Sequence, residues 1–422
     1  MKQMNRVFQV AMIVGCFLAL VFAFNLQAGS HKKSPNSHHM KARNVILFIG
    51  DGMGVASITS TRVWSKGSQG KLAMEQLPVS GVVKTYSSSD FVTDSAASAT
   101  ALASGIKTYN GAIGLSDPKF DPTGKSRPVQ TVFDLAKSRS MLSGVITTTR
   151  VTHATPACFY AHVDSREKEN DIAMQASKSD LSLLMGGGRK FFFPRDWKDS
   201  GNLNRPGLRE KGENLVEKMQ TRGWQYAQSW KQMQAVDKNP TKQVLGLFSY
   251  DHLAYELERQ QKRISEPSLM EMVRFAIKRF STHKAGYILL VEGGRIDHAA
   301  HENRVKHALA DLKAFDEAIA VAIKETSSED TLVLVTADHE TGGLAINGYA
   351  SSQLQGRKLL GKPQNFLNKE PYHLTYATGP GDKEKKSLKS FTRRLRRAAM
   401  RRDAGDDGAA WDEDEDDEDD EE

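Results

Sequence analysis

The stretch VILFIGDGMG at residues 45–54 decides the fold, and two later stretches follow its pattern, YILLVEGGRIDHAAH at 287–301 and TLVLVTADHE at 331–340. Each begins with a run of Val, Ile and Leu, which is typical of a strand buried on both faces of a sheet. Each then brings acidic or imidazole side chains at its C-terminal end, the edge where open α/β sheets bind ligands. We therefore expect six candidate metal ligands to converge at that edge: Asp51, Glu292, Asp297, His301, Asp338 and His339.

The rest of the chain alternates strands with helices. This alternation predicts an α/β fold with a mostly parallel central sheet flanked by helices on both faces. The predicted strands are 45–49, 143–148, 287–291 and 331–336, and the predicted helices include 95–104, 129–138, 268–281 and 303–325. Residues 186–240 are rich in Gly, Lys, Arg, Gln and Trp, which predicts a cap or insertion over the sheet rather than a separate domain.

Three acidic positions favour metal binding, although each has a simpler reading. Asp297 and His301 have the i, i+4 spacing that lets one helix face clamp a metal, a spacing that a salt-bridged surface helix also shows. Asp338 beside His339 would equally suit a buried ion pair. Asp51 lies among glycines that resemble a nucleotide loop, but a carboxylate there would repel a phosphate unless a cation intervened.

Ser95 is the candidate nucleophile. It follows Asp94 at the start of a small-residue helix that Gly105 ends, so one of the two residues could simply cap the helix. A serine at a helix N-terminus also has a chemical use, because the helix dipole favours its alkoxide and an incoming anion. A nearby divalent metal would lower the pKa of the hydroxyl further.

The N-terminus predicts export. Residues 1–28 read as a signal peptide, with an apolar run at 7–24 and a cleavage site after Ala28, followed by a polar linker at 29–42. A membrane anchor and lipidation at Cys16 are the alternatives, and we expect no stable membrane insertion. The expected location is periplasmic or secreted. After cleavage Cys158 would be the lone cysteine, so stability must come from the core and from metals.

Charge is unevenly distributed. The net charge is +7, but residues 381–422 hold ten basic and sixteen acidic groups, whereas the remainder holds 48 basic and 35 acidic ones. A basic surface would steer anionic substrates, although it is also common in exported proteins. The tail at 381–422 is predicted to be disordered. Its RRLRR run could contact phosphates, but the adjacent acids would compete, so we expect no nucleic-acid partner.

The chain resembles the alkaline phosphatase family. The matching segments occur in family order across residues 43–380, the predicted catalytic domain. They are NVILFIGDGMG (44–54), VTDSAASATALASGIKTYNGAIG (92–114), VTHATPA (151–157), AHVDSRE (161–167), VEGGRIDHAAHEN (291–303) and VTADHE (335–340). The resemblance implies an alkaline phosphatase-like fold, small phosphate monoesters as substrates and a homodimer.

The resemblance also implies roles for individual residues. Ser95 would attack the phosphate monoester and form a phosphoserine, and Arg166 would hold two phosphate oxygens. One zinc would be bound by Asp51, Asp338 and His339, a second zinc by Asp297 and His301, and magnesium by Asp51, Thr155 and Glu292. His153 and His298 stand at positions that vary within the family, and such imidazoles would also suit zinc or cobalt in the third site.

One family feature is missing. The resemblance implies a further zinc-ligating histidine near the C-terminus, yet no histidine follows His373, which lies on the wrong side of the ATGPG segment at 377–381. We hypothesise that a frame shift or a truncated gene replaced the native C-terminus, which sequencing of the coding DNA would test. The second zinc site would then be incomplete. A catalytically impaired pseudoenzyme that binds metal or phosphate is therefore an alternative, as is a related phosphodiesterase or sulfatase.

Overall fold

The fold is taken from a computed structural model, in which the structure describes residues 42–67, 69–199, 202–209, 212–346 and 374–377. The strands are β1 Asn44–Gly50, β2 Leu142–Arg150, β3 Leu183–Gly187, β4 Lys198–Asp199, β5 Asn202–Pro206, β6 Gln225–Ala227, β7 Val244–Leu247, β8 Tyr287–Glu292, β9 Thr331–Ala337, β10 Leu344–Ile346 and β11 Leu374–Tyr376. The helices are α1 Val55–Lys66, α2 Ser95–Ser104, α3 Val132–Ser138, α4 Ala154–Ala157, α5 Glu169–Lys178, α6 Leu215–Thr221, α7 Trp230–Gln234, α8 Glu256–Gln261, α9 Leu269–Phe280, α10 Arg295–His301 and α11 Val305–Glu325.

Seven strands form one parallel sheet in the order β6-β7-β3-β2-β8-β1-β9. The prediction of a mostly parallel sheet in an α/β fold is confirmed. Strands β8, β1 and β9 are neighbours, so the three stretches that decided the fold end at one edge of the sheet. Only part of the predicted insertion at 186–240 lies outside the main sheet. Strands β4 and β5 form a small antiparallel pair, whereas β6 joins the main sheet.

Apolar cores cover both faces of the sheet. Along β1 the side chains alternate, so that Ile46 and Phe48 pack with helices α9 and α11, whereas Ile49 packs with α2 and α4 on the other face. Helix α9 begins at a capping box in which Ser268 and Glu271 satisfy each other's backbone N–H groups. Layers on both faces leave the strand ends at the sheet edge as the open place for a site.

Strand β9 differs from the expectation of burial on both faces. It is the last strand of the sheet within the described ranges, and Leu332 and Leu334 are 44% and 43% exposed. An apolar run indicates that a strand favours burial, but it does not indicate whether another strand or helix covers the edge of that strand. The predictions for the signal peptide, the linker, His373 and the 381–422 tail concern residues outside the described ranges.

Candidate active site and metal centre

The sheet register brings the candidate ligands together. Ile49 pairs with Glu292 across β1 and β8, and Gly50 pairs with Ala337 across β1 and β9. Asp51 and Asp338 are the next residues beyond these pairs, and both are essentially buried. The Gly52 backbone N–H donates to Asp338 Oδ1 at 3.1 Å, which ties the two strand ends. Acidic groups far apart in sequence therefore share one small volume.

Ser95 points into this volume because Asp94, not Ser95, caps helix α2. The Asp94 carboxylate accepts hydrogen bonds from the backbone N–H groups of Ala97 and Gly111, each at 3.0 Å. The Ser95 hydroxyl is left free to face the strand ends, with its Oγ 3.3 Å from Asp51 Oδ1 and 3.2 Å from His339 Nε2. Asp94 therefore caps the helix, and Ser95 is available as the nucleophile.

Two groups of side chains have the spacing of metal ligands among the described residues. Asp51, Asp297 and His339 form the first group, and Asp51, His153 and Glu292 form the second, with ligand atoms within 4.8 Å of one another in each. Asp51 belongs to both groups. Asp338 lies beside the first, with its Oδ2 3.5 Å from His339 Nε2. Thr155 lies beside the second and donates to Asp51 Oδ2 at 3.4 Å.

His301 is the least enclosed of the predicted ligands. Its Nε2 lies 3.4 Å from Asp297 Oδ1, as expected for the i, i+4 pair on helix α10. Its side chain is nevertheless 69% exposed, whereas that of Asp297 is 7% exposed. An exposed imidazole is held less firmly than a buried one, so this pair alone defines a metal position poorly.

Arg166 reaches the start of helix α2, next to the nucleophile. Its Nη1 donates to Asp94 Oδ2 at 3.1 Å, and its Nη2 lies 3.3 Å from His153 Nε2. Its backbone N–H donates to Gly111 O at 2.8 Å, which anchors the segment that carries it. The guanidinium is therefore aimed along the first turn of helix α2, next to Ser95, where a bound anion would meet it.

The electrostatics of the site call for a cation. Burial raises the pKa of Asp51 well above its usual value, and the carboxylates of Asp338, Asp297 and Glu292 raise it further. Burial likewise raises the pKa of Glu292 to about 7. Burial and then Arg166 lower the pKa of His153, which keeps its imidazole neutral and able to act as a ligand. Repelling carboxylates beside neutral imidazoles suit divalent metals.

Two orphaned oxygens support the same fit. Glu292 Oε1 and Asp338 Oδ2 are buried without a hydrogen-bond partner, a costly state unless a ligand completes them. Glu292 Oε2, in contrast, accepts hydrogen bonds from Thr147 and Thr149. One oxygen of this carboxylate thus accepts hydrogen bonds while the other is free to bind a metal. This arrangement is expected of a metal ligand whose orientation is fixed by neighbouring side chains.

Several residues that support the site carry no signal of this role in the sequence. Thr147 and Thr149 hold Glu292, and their alternation along strand β2 was the signal that both face the same way. His252 lies in ring contact with His153 and His298, at centroid distances of 5.4 and 4.4 Å. It follows β7 in an ordinary loop, so no spacing pointed to it.

Comparison with known proteins agrees with this geometry. The family model for alkaline phosphatase matches residues 42–395. The chain belongs to the alkaline phosphatase family. The alkaline phosphatase of Gadus morhua is 35% identical over 378 residues, which cover 81% of this chain and 78% of that protein. The repressible alkaline phosphatase of Saccharomyces cerevisiae is 37% identical over 375 residues, and the chain spans only 62% of its length.

Solved alkaline phosphatases share the fold. The cold-active alkaline phosphatase of Shewanella sp. has a TM-score of 0.62 and 34% identity, with 74% of this chain and 71% of that chain covered. A variant of alkaline phosphatase from TAB5 with Mg bound in its M3 site has a TM-score of 0.64 and 27% identity, with 81% and 88% covered. The alkaline phosphatase resemblance and fold drawn from the sequence are confirmed, and the relatives support phosphomonoester hydrolysis by a metal-binding hydrolase.

In the metal-free protein, the free energy of unfolding is expected to fall between about pH 6.5 and 8 and to level off above that range. Burial raises the pKa of Glu292 from 4.5 to about 7 and that of Asp311 from 3.8 to about 8. Between the unfolded and the folded pKa of such a carboxyl, the unfolded chain has lost the proton that the folded protein keeps, so the free energy of unfolding falls as pH rises across that interval and stays constant above the folded pKa. Buried His153, whose pKa is lowered, opposes this trend only below its unfolded value of 6.5.

Urea unfolding of the metal-free protein at several pH values within this window would measure the trend. Asp311→Asn should remove part of the decline, because Asp311 lies on α11 and is buried away from the metal-ligand groups. A free energy of unfolding that rises across the window would contradict the expectation.

Proposed function

We propose that this protein hydrolyses phosphate monoesters through a phosphoserine at Ser95 and releases inorganic phosphate. The carrying observation is that Ser95 Oγ lies at the N-terminus of helix α2, 3.2–3.3 Å from Asp51 and His339. The helix dipole favours both the serine alkoxide and the anionic substrate at this point. Arg166, hydrogen-bonded to Asp94, would hold two oxygens of the phosphate with its planar guanidinium.

The proposed metals follow the ligand assignment from the family resemblance. Asp51, Asp338 and His339 would hold one zinc, Asp297 and His301 a second zinc, and Asp51, Thr155 and Glu292, near His153, a magnesium. When bound, these ions would lower the pKa of the Ser95 hydroxyl and offset the negative charge of the substrate. The two ligand groups that share Asp51 and the orphaned oxygens of Glu292 and Asp338 support metals at these residues, although the first group contains Asp297 where the assignment has Asp338.

A second candidate is a metal- or phosphate-binding protein with impaired turnover. The exposed position of His301 favours it, because neither ligand group among the described residues includes that histidine. The buried Ser95 and its contacts with Asp51 and His339 oppose it, since a protein without turnover has no need to aim a hydroxyl there. Phosphorylation of Ser95 without release of phosphate would mark this case.

The test is hydrolysis of p-nitrophenyl phosphate at alkaline pH while zinc and magnesium are titrated. Acid quenching during turnover, followed by peptide mass spectrometry, should find phosphate on Ser95. The same enzyme should be compared on bis-p-nitrophenyl phosphate, because the Arg166 clamp favours a monoester dianion over a diester. Folded protein without hydrolysis at any metal level would overturn the proposal, and a faster diester rate would favour the phosphodiesterase alternative.

The proposal includes export to the periplasm or outside the cell. The sequence of residues 1–28 is its basis. Within the described part of the chain, no helix combines the length and apolar character needed to cross a bilayer.

A homodimer is also proposed, and an apolar strip at residues 79–92 supports it. Val82 and Phe91 are 101% and 99% exposed, and the strip holds six of the fourteen exposed large apolar residues among those described. Such clustering marks interaction surfaces rather than ordinary monomer surface. Lys84 and Asp90 are the only charged residues of the strip, so two copies could meet without accumulating like charge.

Light scattering at micromolar concentration should therefore give twice the chain mass, and Val82→Asp together with Phe91→Ser should give the monomer. Phe120→Ser is the matched control, because Phe120 is 72% exposed outside the strip. A monomeric wild-type protein, or a dimer unaffected by the paired substitutions, would reject the apolar strip as the contact.

A further inference from the structure

Thr341 links two of the metal-ligand side chains. It follows strand β9 and is 5% exposed. Its hydroxyl donates a hydrogen bond to Asp297 Oδ1. The hydroxyl oxygen of Thr341 also lies 3.2 Å from His339 Nδ1. Asp297 comes from helix α10 and His339 from the loop after β9, so one hydroxyl joins ligands from two separate elements.

The direction of these hydrogen bonds follows from counting protons. A threonine hydroxyl has one proton, and a carboxylate only accepts, so Thr341 donates to Asp297. The oxygen of Thr341 can then only accept, and it must receive the Nδ1–H of His339. The Glu340 carbonyl, 3.1 Å from the same nitrogen, also can only accept. His339 is therefore protonated on Nδ1, and its Nε2 lone pair faces Ser95 and Asp51.

Packing holds the Thr341 hydroxyl in this position. Gly52, with φ +68°, lies directly against it, and a Cβ on Gly52 would come within 2.7 Å of Thr341 Oγ1 and 2.9 Å of Asp297 Oδ1. The close approach of the Gly52 backbone leaves the hydroxyl little room to rotate away from Asp297. The contact is thus part of a packed arrangement rather than an optional surface pairing.

We infer that Thr341 is a positioning residue, which sets the spacing of Asp297 from His339 and fixes the His339 tautomer that presents Nε2 to a metal. This inference rests on the proposed function, because it concerns the same metal centre. Outer hydrogen bonds of this kind orient ligands and raise their basicity, and their removal typically weakens metal binding by about tenfold to a hundredfold. A hydroxyl group is needed here, whereas its γ-methyl group is not.

The test uses metal-free full-length protein titrated with zinc against a chromophoric chelator. Thr341→Val and Thr341→Ala should each weaken zinc binding by about tenfold or more. Thr341→Ser keeps the hydroxyl and should stay within about threefold of wild type, a rescue that a purely steric role would not give. The visible spectrum of bound Co²⁺, which reports ligand geometry, should change in the first two variants and be retained in the third.

The outcomes separate this inference from the proposed function. Wild-type protein that binds no zinc would overturn both. Wild-type binding with an unchanged affinity in Thr341→Val and Thr341→Ala would overturn the role of Thr341 alone. Failure of Thr341→Ser to restore binding would do the same. If neither Val nor Ala gives a folded metal-free protein, the hydroxyl serves the fold and the inference is wrong.

Discussion

Replacing Ser95 by alanine is expected to abolish hydrolysis of p-nitrophenyl phosphate, with kcat lowered on the order of 10⁴-fold or more. The reason is that the substitution removes the attacking oxygen, which lies 3.2 Å from His339 Nε2 at the N-terminus of helix α2. A loss of this size corresponds to about 5 kcal/mol of transition-state stabilisation. The measurement is initial rate at saturating zinc and magnesium.

The matched control is Ser104→Ala. Ser104 lies at the far end of the same helix, where its hydroxyl donates to Thr100 O at 2.7 Å rather than to the site. It should keep near wild-type activity, which would separate loss of the nucleophile from damage to the helix. Zinc binding should persist in Ser95→Ala, because the carboxylate and imidazole ligands Asp51, Asp297 and His339 remain in place. Retention of a tenth of wild-type activity by Ser95→Ala would exclude a phosphoserine at this residue.

Asp51→Asn is expected to have the second largest effect on activity. It should weaken metal binding but raise the stability of the metal-free protein. Asp51 belongs to both ligand groups, so loss of its charge should weaken metal binding at both and reduce activity by roughly a thousandfold. In the metal-free protein, however, burial and neighbouring carboxylates raise the pKa of Asp51, so the charge is itself destabilising. The metal-free variant should therefore melt at a higher temperature than metal-free wild type.

Thermal melting with and without zinc measures both effects in one experiment. Wild type should gain stability on adding zinc, because a ligand that binds only the folded state stabilises it. Asp51→Asn should start higher and gain little. Asp134→Asn is a control in which a carboxylate is removed far from the site, since Asp134 belongs to the capping box of helix α3. A zinc-induced gain equal to that of wild type would show that Asp51 does not bridge two metals.

The sequence predicted the fold well because its strongest signals were physical ones. The apolar runs of β1, β8 and β9, each ending in acidic residues, required a parallel sheet with a ligand edge, and the register confirms that edge. The start of helix α2 at Ser95 followed from small residues between Asp94 and Gly105, and its bounds agree with the structure. The start of helix α3 came three residues later than predicted, because the Thr131 capping box begins it.

Side-chain partnerships were beyond the reach of the sequence. Threonine is common in strands and turns, so nothing distinguished Thr147, Thr149 or Thr341 from structural residues. The grouping of ligands also needed three dimensions: Asp297 lies closer to the Asp51–His339 pair than spacing could indicate. The assignment of individual residues to zinc and magnesium therefore stays a prediction.

The pairing of β1 with β9 has a consequence for how the protein matures. Asn44 and Thr331 touch although they are 287 residues apart in the chain, and the ligands that follow these strands inherit that separation. Contacts so distant in sequence can form only after the intervening chain has been synthesised, and their long loops slow their formation. Early folding intermediates would hold only scattered acids with little affinity for a cation. Metal binding should therefore coincide with the pairing of the last strands of the sheet. A protein with bound metal would then be a fully folded one.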